Sequence, residues 1–216
     1  LSDGTKIHGF EWNPNNANEQ TVLIAHGYAS FAYKFEHYIG PLLKLGYRVL
    51  AFDAPGHGQS EGKHINVVVY QEAIQQIMQQ CAPVNHFIGH SLGALTLSLI
   101  AEQVDNAKDR KFVLIAPATT TTTTFSNFFK MMHFNKVTKT AFIQEVSSRT
   151  HHSIEHFAAD RALANYHGPL LWVHDETDLV CPYEDLSDFQ KNAPSNIEFM
   201  ITNGLGHNKI YKTAEV

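Results

Sequence analysis

Gly89-His90-Ser91-Leu92-Gly93 places a serine between two glycines directly after the apolar run His86-Phe87-Ile88. A strand that turns sharply into a helix forces its turn residue into a strained backbone conformation. Glycines two positions before and after remove the side chains that would collide there. The following residues, Leu92 to Val104, are rich in Ala and Leu and contain no proline, so a helix is expected to begin where the strand stops. Its first backbone N–H groups lack helical partners and carry partial positive charge, which suits a place where an oxyanion develops.

Six apolar runs surround this turn: Thr21–His26, Tyr47–Asp53, His86–Gly89, Lys111–Ala116, Pro169–His174 and Ile197–Thr202. They are solid rather than alternating, as expected of parallel strands covered on both faces. Helix-compatible segments lie between them at Tyr33–Leu45, Val67–Gln80, Leu92–Val104 and Tyr183–Lys191. That β-α-β-α rhythm predicts an α/β fold with an open, mostly parallel, doubly wound sheet. Thr5–Trp12 is expected to add an antiparallel edge strand. The rhythm breaks between Pro117 and Gly168, a stretch that opens with the threonines Thr119–Thr124 and continues through Phe125, Phe128, Phe129, Met131, Met132 and Phe134. A gap of that length predicts a helical cap insertion, residues 117–168, on a core made of residues 1–116 and 169–216. Most of its aromatic residues are expected to pack the insertion, and a minority to line a substrate pocket.

The chain has 216 residues, 44% of them hydrophobic and 17% charged, which allows one buried core. A net charge of −5 without a basic run argues against nucleic acid as a partner, and no apolar stretch reaches the length of a transmembrane span. Cys81 and Cys181 form neither a disulfide framework nor a zinc spacing, which fits a reducing, cytoplasmic setting. The first residue is Leu1 and the last, Val216, closes a helix-compatible stretch, so both ends are expected to be incomplete. Oligomeric state is not legible.

Serine is a weak nucleophile at neutral pH and needs a general base, which in turn needs a carboxylate to hold its tautomer. Asp178, in His174-Asp175-Glu176-Thr177-Asp178, follows one late apolar run, and His207, in Gly204-Leu205-Gly206-His207, follows the last. Both would arrive at the sheet edge that carries Ser91, where open α/β sheets bind ligands. Asp175 is the rival acid. Asp53 precedes the serine and reads as a turn anchor, while His26, His57 and His90 read as turn or packing histidines.

Taken together, these strings resemble the α/β-hydrolase superfamily over nearly the whole chain. His26-Gly27-Tyr28 resembles its H-G-x oxyanion loop, and Asp53-Ala54-Pro55-Gly56-His57-Gly58-Gln59-Ser60 resembles its D-x-P-G-x-G-x-S turn. The resemblance implies a Ser91, Asp178, His207 triad, with Asp178 favoured by the family's D-x-x-V pattern. It also implies oxyanion donors at the backbone N–H groups of Tyr28 and Leu92, each typically contributing roughly 10²–10³ in rate. The expected partners are a small acyl substrate and water, with no cofactor and no metal. A carboxylic ester of short or medium acyl chain, monoacylglycerol-like or lysophospholipid-like, is the expected substrate. Thioesters, amides or peptides, C–C bonds, and a non-catalytic ligand-binding protein remain alternatives. His152-Ser153-Ile154-Glu155-His156 also spells the H-x-x-E-H zinc motif, on a segment expected to be helical, against a reading as solvated cap histidines.

Overall fold

The structure, a computed structural model, describes residues 1–16, 19–104, 107–213 and 216. Its strands are β1 (Gly9–Trp12), β2 (Thr21–Ala25), β3 (Arg48–Phe52), β4 (His86–His90), β5 (Lys111–Ile115), β6 (Leu170–Asp175) and β7 (Ile197–Thr202). They form one sheet in the order β1-β3-β2-β4-β5-β6-β7. Every pairing is parallel except β1 against β3, so the amino-terminal segment is the antiparallel edge its patterning predicts. The chain runs from β2 outward to β3 and then crosses back to β4 on the other side of β2. The carboxyl ends of β2 and β4 therefore flank the topological switch point, where a crevice opens in sheets of this kind.

The helices are α1 (Glu36–Lys44), α2 (Val67–Gln80), α3 (Leu92–Ala101), α4 (Thr121–Met131), α5 (Lys136–Thr150), α6 (Ala159–Leu163), α7 (Tyr183–Gln190) and α8 (Gly206–Lys209). A 3₁₀ turn at Ala32–Phe35 starts the first helical region one step earlier than its pattern suggests. The period of two along each strand explains why the runs are continuously apolar. Leu23 and Ala25 join Leu50, Phe52 and Phe87 in one core cluster, while Val22 and Ile24 join Val49, Ala51 and Ile88 in another. Both faces of the sheet are buried, so neither set can be polar. Helix α3 is buried all round, with nine residues buried from Gly93 to Ala101, and its two hydroxyls, Thr96 and Ser98, are satisfied by the Leu92 and Leu95 carbonyls of the same helix.

Two close approaches seat α3 on the sheet. A Cβ on Gly93 would lie 2.3 Å from the Ala25 carbonyl oxygen, and one on Gly89 would lie 2.8 Å from the Ala94 Cα. The glycines flanking the serine are thus demanded by contact between α3 and strands β2 and β4.

Between β5 and β6 the described residues contain helices and turns and no strand. The threonine run enters the first of these helices. Thr120 is extended and Thr121–Thr124 form the first turn of α4, although β-branched residues are poor helix formers. Their hydroxyls supply the reason. Thr120 and Thr123 donate to the Asp185 carboxylate at 2.7 and 3.2 Å, Thr121 donates to the Ile154 carbonyl at 2.5 Å, and Thr124 donates to the Thr120 carbonyl at 3.1 Å. Helix α5 lies on the surface with no buried residue. At the carboxyl terminus, α8 gives way to a 3₁₀ turn over Ile210–Lys212, and residues 214 and 215 lie outside the described residues. No helix among the described residues is long and apolar enough to cross a membrane.

Candidate active site

Ser91 stands between β4 and α3 with φ 52° and ψ −119°, a conformation that costs of order 1–3 kcal/mol and persists only where the surroundings fix it. They do so through two backbone bonds: the Ser91 N–H donates to the Ile115 carbonyl at 2.9 Å, and the Ser91 carbonyl accepts from Leu95 at 2.8 Å. The hydroxyl is left at the sheet edge, 2.8 Å from Nε2 of His207. His207 sits at the start of α8 after β7, and its Nδ1 lies 2.7 Å from Oδ2 of Asp178. A carboxylate can only accept, so Nδ1 carries the proton and Nε2 is free to accept from the serine hydroxyl. The three side chains separated along the chain meet in one line of hydrogen bonds.

Asp178 is buried, and its other oxygen accepts from the Val180 and Cys181 N–H groups at 2.8 and 2.9 Å. Burial works to raise its pKa. The bond and charge of His207, with the two backbone donors, outweigh it and hold the carboxyl below its ordinary value. The rival Asp175 makes no such contact with the imidazole. Its Oδ1 accepts from the N–H and hydroxyl of Thr177 and from the Gly206 N–H, and its Oδ2 accepts from the Thr202 hydroxyl and the Leu205 N–H.

Three further histidines surround this line, all neutral by their partners or burial. His90 is buried with its Nε2 2.9 Å from the His207 carbonyl, and its ring lies 4.1 Å from that of Tyr211. Burial pushes its pKa down to about 3. His26 accepts from the Ala54 N–H through Nε2 and donates to the Gly27 carbonyl through Nδ1, and burial lowers it to about 4. His174 accepts at Nδ1 from the Trp172 indole at 3.3 Å and donates from Nε2 to the Cys181 carbonyl at 2.8 Å; burial lowers its pKa too. His57 packs edge-on against Tyr28. Asp53 accepts from the Ala32 and Gln59 N–H groups, anchoring its turn as the sequence suggests.

Tyr28 is a central residue of the turn closed by the Ser30 N–H on the Gly27 carbonyl at 3.2 Å, and its side chain is 71% exposed. Leu92 is the first residue of α3, so no intrahelical carbonyl precedes its N–H. Both residues and Ser91 line a cavity of about 430 Å³. Its walls are mostly apolar, from Ile65, Val67, Leu95, Phe125, Phe142, Val146 and Phe157. Glu145 is the single carboxylate among the described lining residues, and it accepts from Arg149 at 2.5 Å. The contributions from α5 were invisible in the sequence, because that helix has no buried face to impose a period.

The H-x-x-E-H segment is not the helix its spacing suggests. His152 lies in a bend, Ser153 is extended, and Ile154–Phe157 form a 3₁₀ helix. The His152 and His156 rings stack with centroids 3.7 Å apart and planes 7° from parallel. Among the described residues no group of three or more His, Cys, Asp or Glu side chains could hold a metal ion. Cys81 and Cys181 are free thiols.

Comparison with known proteins adds a family model described as "Serine aminopeptidase, S33", which matches residues 16–162, more than half of the chain. The monoglyceride lipase of Rattus norvegicus is 25% identical over 124 residues, 54% of this chain and 41% of that protein. The chain spans less than half the length of such curated relatives. An esterase of Pyrococcus furiosus superposes with a TM-score of 0.72 at 22% identity, covering 99% of this chain and 83% of that one. A monoacylglycerol lipase of Paleococcus ferrophilus gives 0.71 at 19% identity, covering 94% and 91%. These structures share the fold.

Proposed function

The chain belongs to the hydrolase family described as serine aminopeptidase, S33, with the α/β-hydrolase fold, and from that premise we propose that it hydrolyses a carboxylic ester through an acyl-enzyme on Ser91. The observation that carries this reading is the unbroken line from Ser91 Oγ through His207 to Asp178, opening on an apolar cavity. In the proposed reaction, the serine hydroxyl gives its proton to His207 Nε2 as Oγ attacks the acyl carbonyl. The imidazolium so formed is stabilised by Asp178, and the Tyr28 and Leu92 N–H groups receive the charge on the carbonyl oxygen. The imidazolium then protonates the leaving alcohol, and water attacks the acyl-enzyme by the same route in reverse.

Cavity chemistry favours an acyl chain of short or medium length, as in a monoacylglycerol-like or lysophospholipid-like ester. Residues 117–168 act in this reading as a cap on a core formed by 1–116 and 169–216, supplying Thr121, Thr124, Phe125 and Phe142 to the cavity. A second reading, amide cleavage, draws support from the family description. An aminopeptidase site needs a carboxylate for the substrate's ammonium group, and the cavity's Glu145 is engaged by Arg149. Labelling with a fluorophosphonate and turnover of p-nitrophenyl esters beside aminoacyl amides test both. Ser91→Ala is expected to abolish labelling and cut ester turnover by several orders of magnitude in a folded protein. Undiminished turnover by that variant would overturn the mechanism, and faster amide than ester cleavage would replace the substrate class.

A further inference from the structure

Asp175 stands at the end of β6, and both of its carboxylate oxygens are spent on two loops. Toward the loop that carries Asp178, Oδ1 accepts from the Thr177 N–H at 2.9 Å and from its hydroxyl at 2.6 Å. Toward the loop that carries His207, Oδ1 accepts from the Gly206 N–H at 2.9 Å, and Oδ2 accepts from the Leu205 N–H at 3.0 Å. The Thr202 hydroxyl, at the end of β7, completes the set at 2.7 Å from Oδ2. Thr177 adjoins Asp178 and Gly206 adjoins His207, so this one carboxylate ties the two loops one residue away from each member of the acid and imidazole pair.

We infer that Asp175 is a positioning residue: by pinning Thr177 and Gly206 to one buried carboxylate it fixes the separation and aim of Asp178 and His207. Its hydrogen-bond partners are Thr177, Thr202, Leu205 and Gly206, not the imidazole. Only a group that accepts at both oxygens satisfies this site, because all five partners donate. An amide in its place turns one oxygen into a donor facing donors, and the two loops lose their common anchor. Burial opposes the charge on Asp175, yet the donors from Thr177, Thr202, Gly206 and Leu205 outweigh it and hold the carboxyl below the ordinary range. The group is therefore an anion at every pH where the enzyme would work. The inference rests on the reading of Ser91, His207 and Asp178 as the reacting line.

The test compares wild type, Asp175→Asn, Thr202→Val and Ser91→Ala in p-nitrophenyl ester hydrolysis, with kcat and KM resolved. Cooperative thermal unfolding serves as the check of folding. Two readouts separate aim from mere stability: the acid limb of the kcat/KM profile, and the far-downfield proton resonance of an imidazole N–H held by a carboxylate. For folded Asp175→Asn, kcat is expected to fall about 10- to 100-fold, as for other supporting residues of a site, with KM within about twofold. The acid limb moves to lower pH and the downfield resonance broadens or vanishes. Thr202→Val, which removes one donor and leaves the carboxylate, shows smaller changes in the same direction. A folded Asp175→Asn with wild-type kcat, acid limb and resonance would overturn the inference. Should Asp175→Asn fail to fold, Thr202→Val decides, and its identity to wild type in all three readouts overturns the inference equally. Ser91→Ala keeps the two levels distinct: if it retains full turnover the underlying reading falls, whereas its inactivity beside an unaffected Asp175→Asn removes only the positioning role.

Discussion

Acidification is expected to destabilise this protein through its buried histidines well before its carboxylates are protonated. His26 and His90 are held neutral by burial, with pKa values lowered to about 4 and about 3. In the unfolded chain each titrates near the ordinary value of about 6.5. Between those limits the unfolded state binds more protons, so stability rises with pH. The contribution is complete above about pH 6.5 and is lost as pH falls toward the folded value. Each group then contributes a slope of about 1.4 kcal/mol per pH unit, and acidification from about pH 7 to about pH 5 removes about 2 kcal/mol for each and about 4 kcal/mol for the pair. His174, lowered by the same cause, acts with the same sign. Against a typical total of about 5–15 kcal/mol that is a large fraction. Urea unfolding at several pH values across this window measures it directly. His90→Asn, which cannot titrate, should lose about 2 kcal/mol less than wild type over the same interval. A flat stability profile in wild type, or an equal loss in the variant, would refute the assignment of these rings as buried and neutral.

Gly93→Ala should destabilise the fold by about 3 kcal/mol or more, since the new methyl meets the Ala25 carbonyl at 2.3 Å and backbone must move; equilibrium unfolding reads the loss, and a change under about 1 kcal/mol would contradict the packing of α3. Phe142→Ala should lower kcat/KM for medium-chain p-nitrophenyl esters by about tenfold and leave the acetyl ester within about twofold, because a contact with remote methylenes is worth about 1–3 kcal/mol. Equal effects across the chain-length series would place the acyl group elsewhere.

The sheet was legible because coverage of both faces keeps the central strands apolar throughout, β2 being buried at every residue; the edge strand Ile197–Thr202, less covered and carrying Glu198, still matches its run residue for residue, and the others differ at their ends. The turn at Ser91 was legible for a different reason, since Gly89 and Gly93 are imposed by backbone contact. Where the expectation failed, local spacing had no packing behind it. His152 and His156 sit four apart, yet α5 stops at Thr150, where His151 turns left-handed with φ 59°, and the two rings are left stacked beside a separate 3₁₀ helix. Asp175 was read only as a competitor for Asp178. Adjacent strand-end acids look alike in sequence, and only the five donors around Asp175 distinguish an anchor from a partner of the imidazole. The threonine run was read as the opening of a helical insertion, but what holds its first turn was not legible, because the acceptor, Asp185, lies in α7.

Helix α5 supplies Phe142, Val146, Arg149 and Thr150 to the cavity while burying none of its own residues. In the proposed reading, substitutions on α5 would reshape the space offered to a substrate with little loss from the two clusters that flank the sheet, because among the described residues its contacts with the interior are confined to Val146 beside Leu99 and Phe157 and to Phe142 beside Phe129. On the proposed mechanism, selectivity and folding would then be written largely in separate parts of the molecule, α5 being free to change while the turn at Ser91 stays fixed.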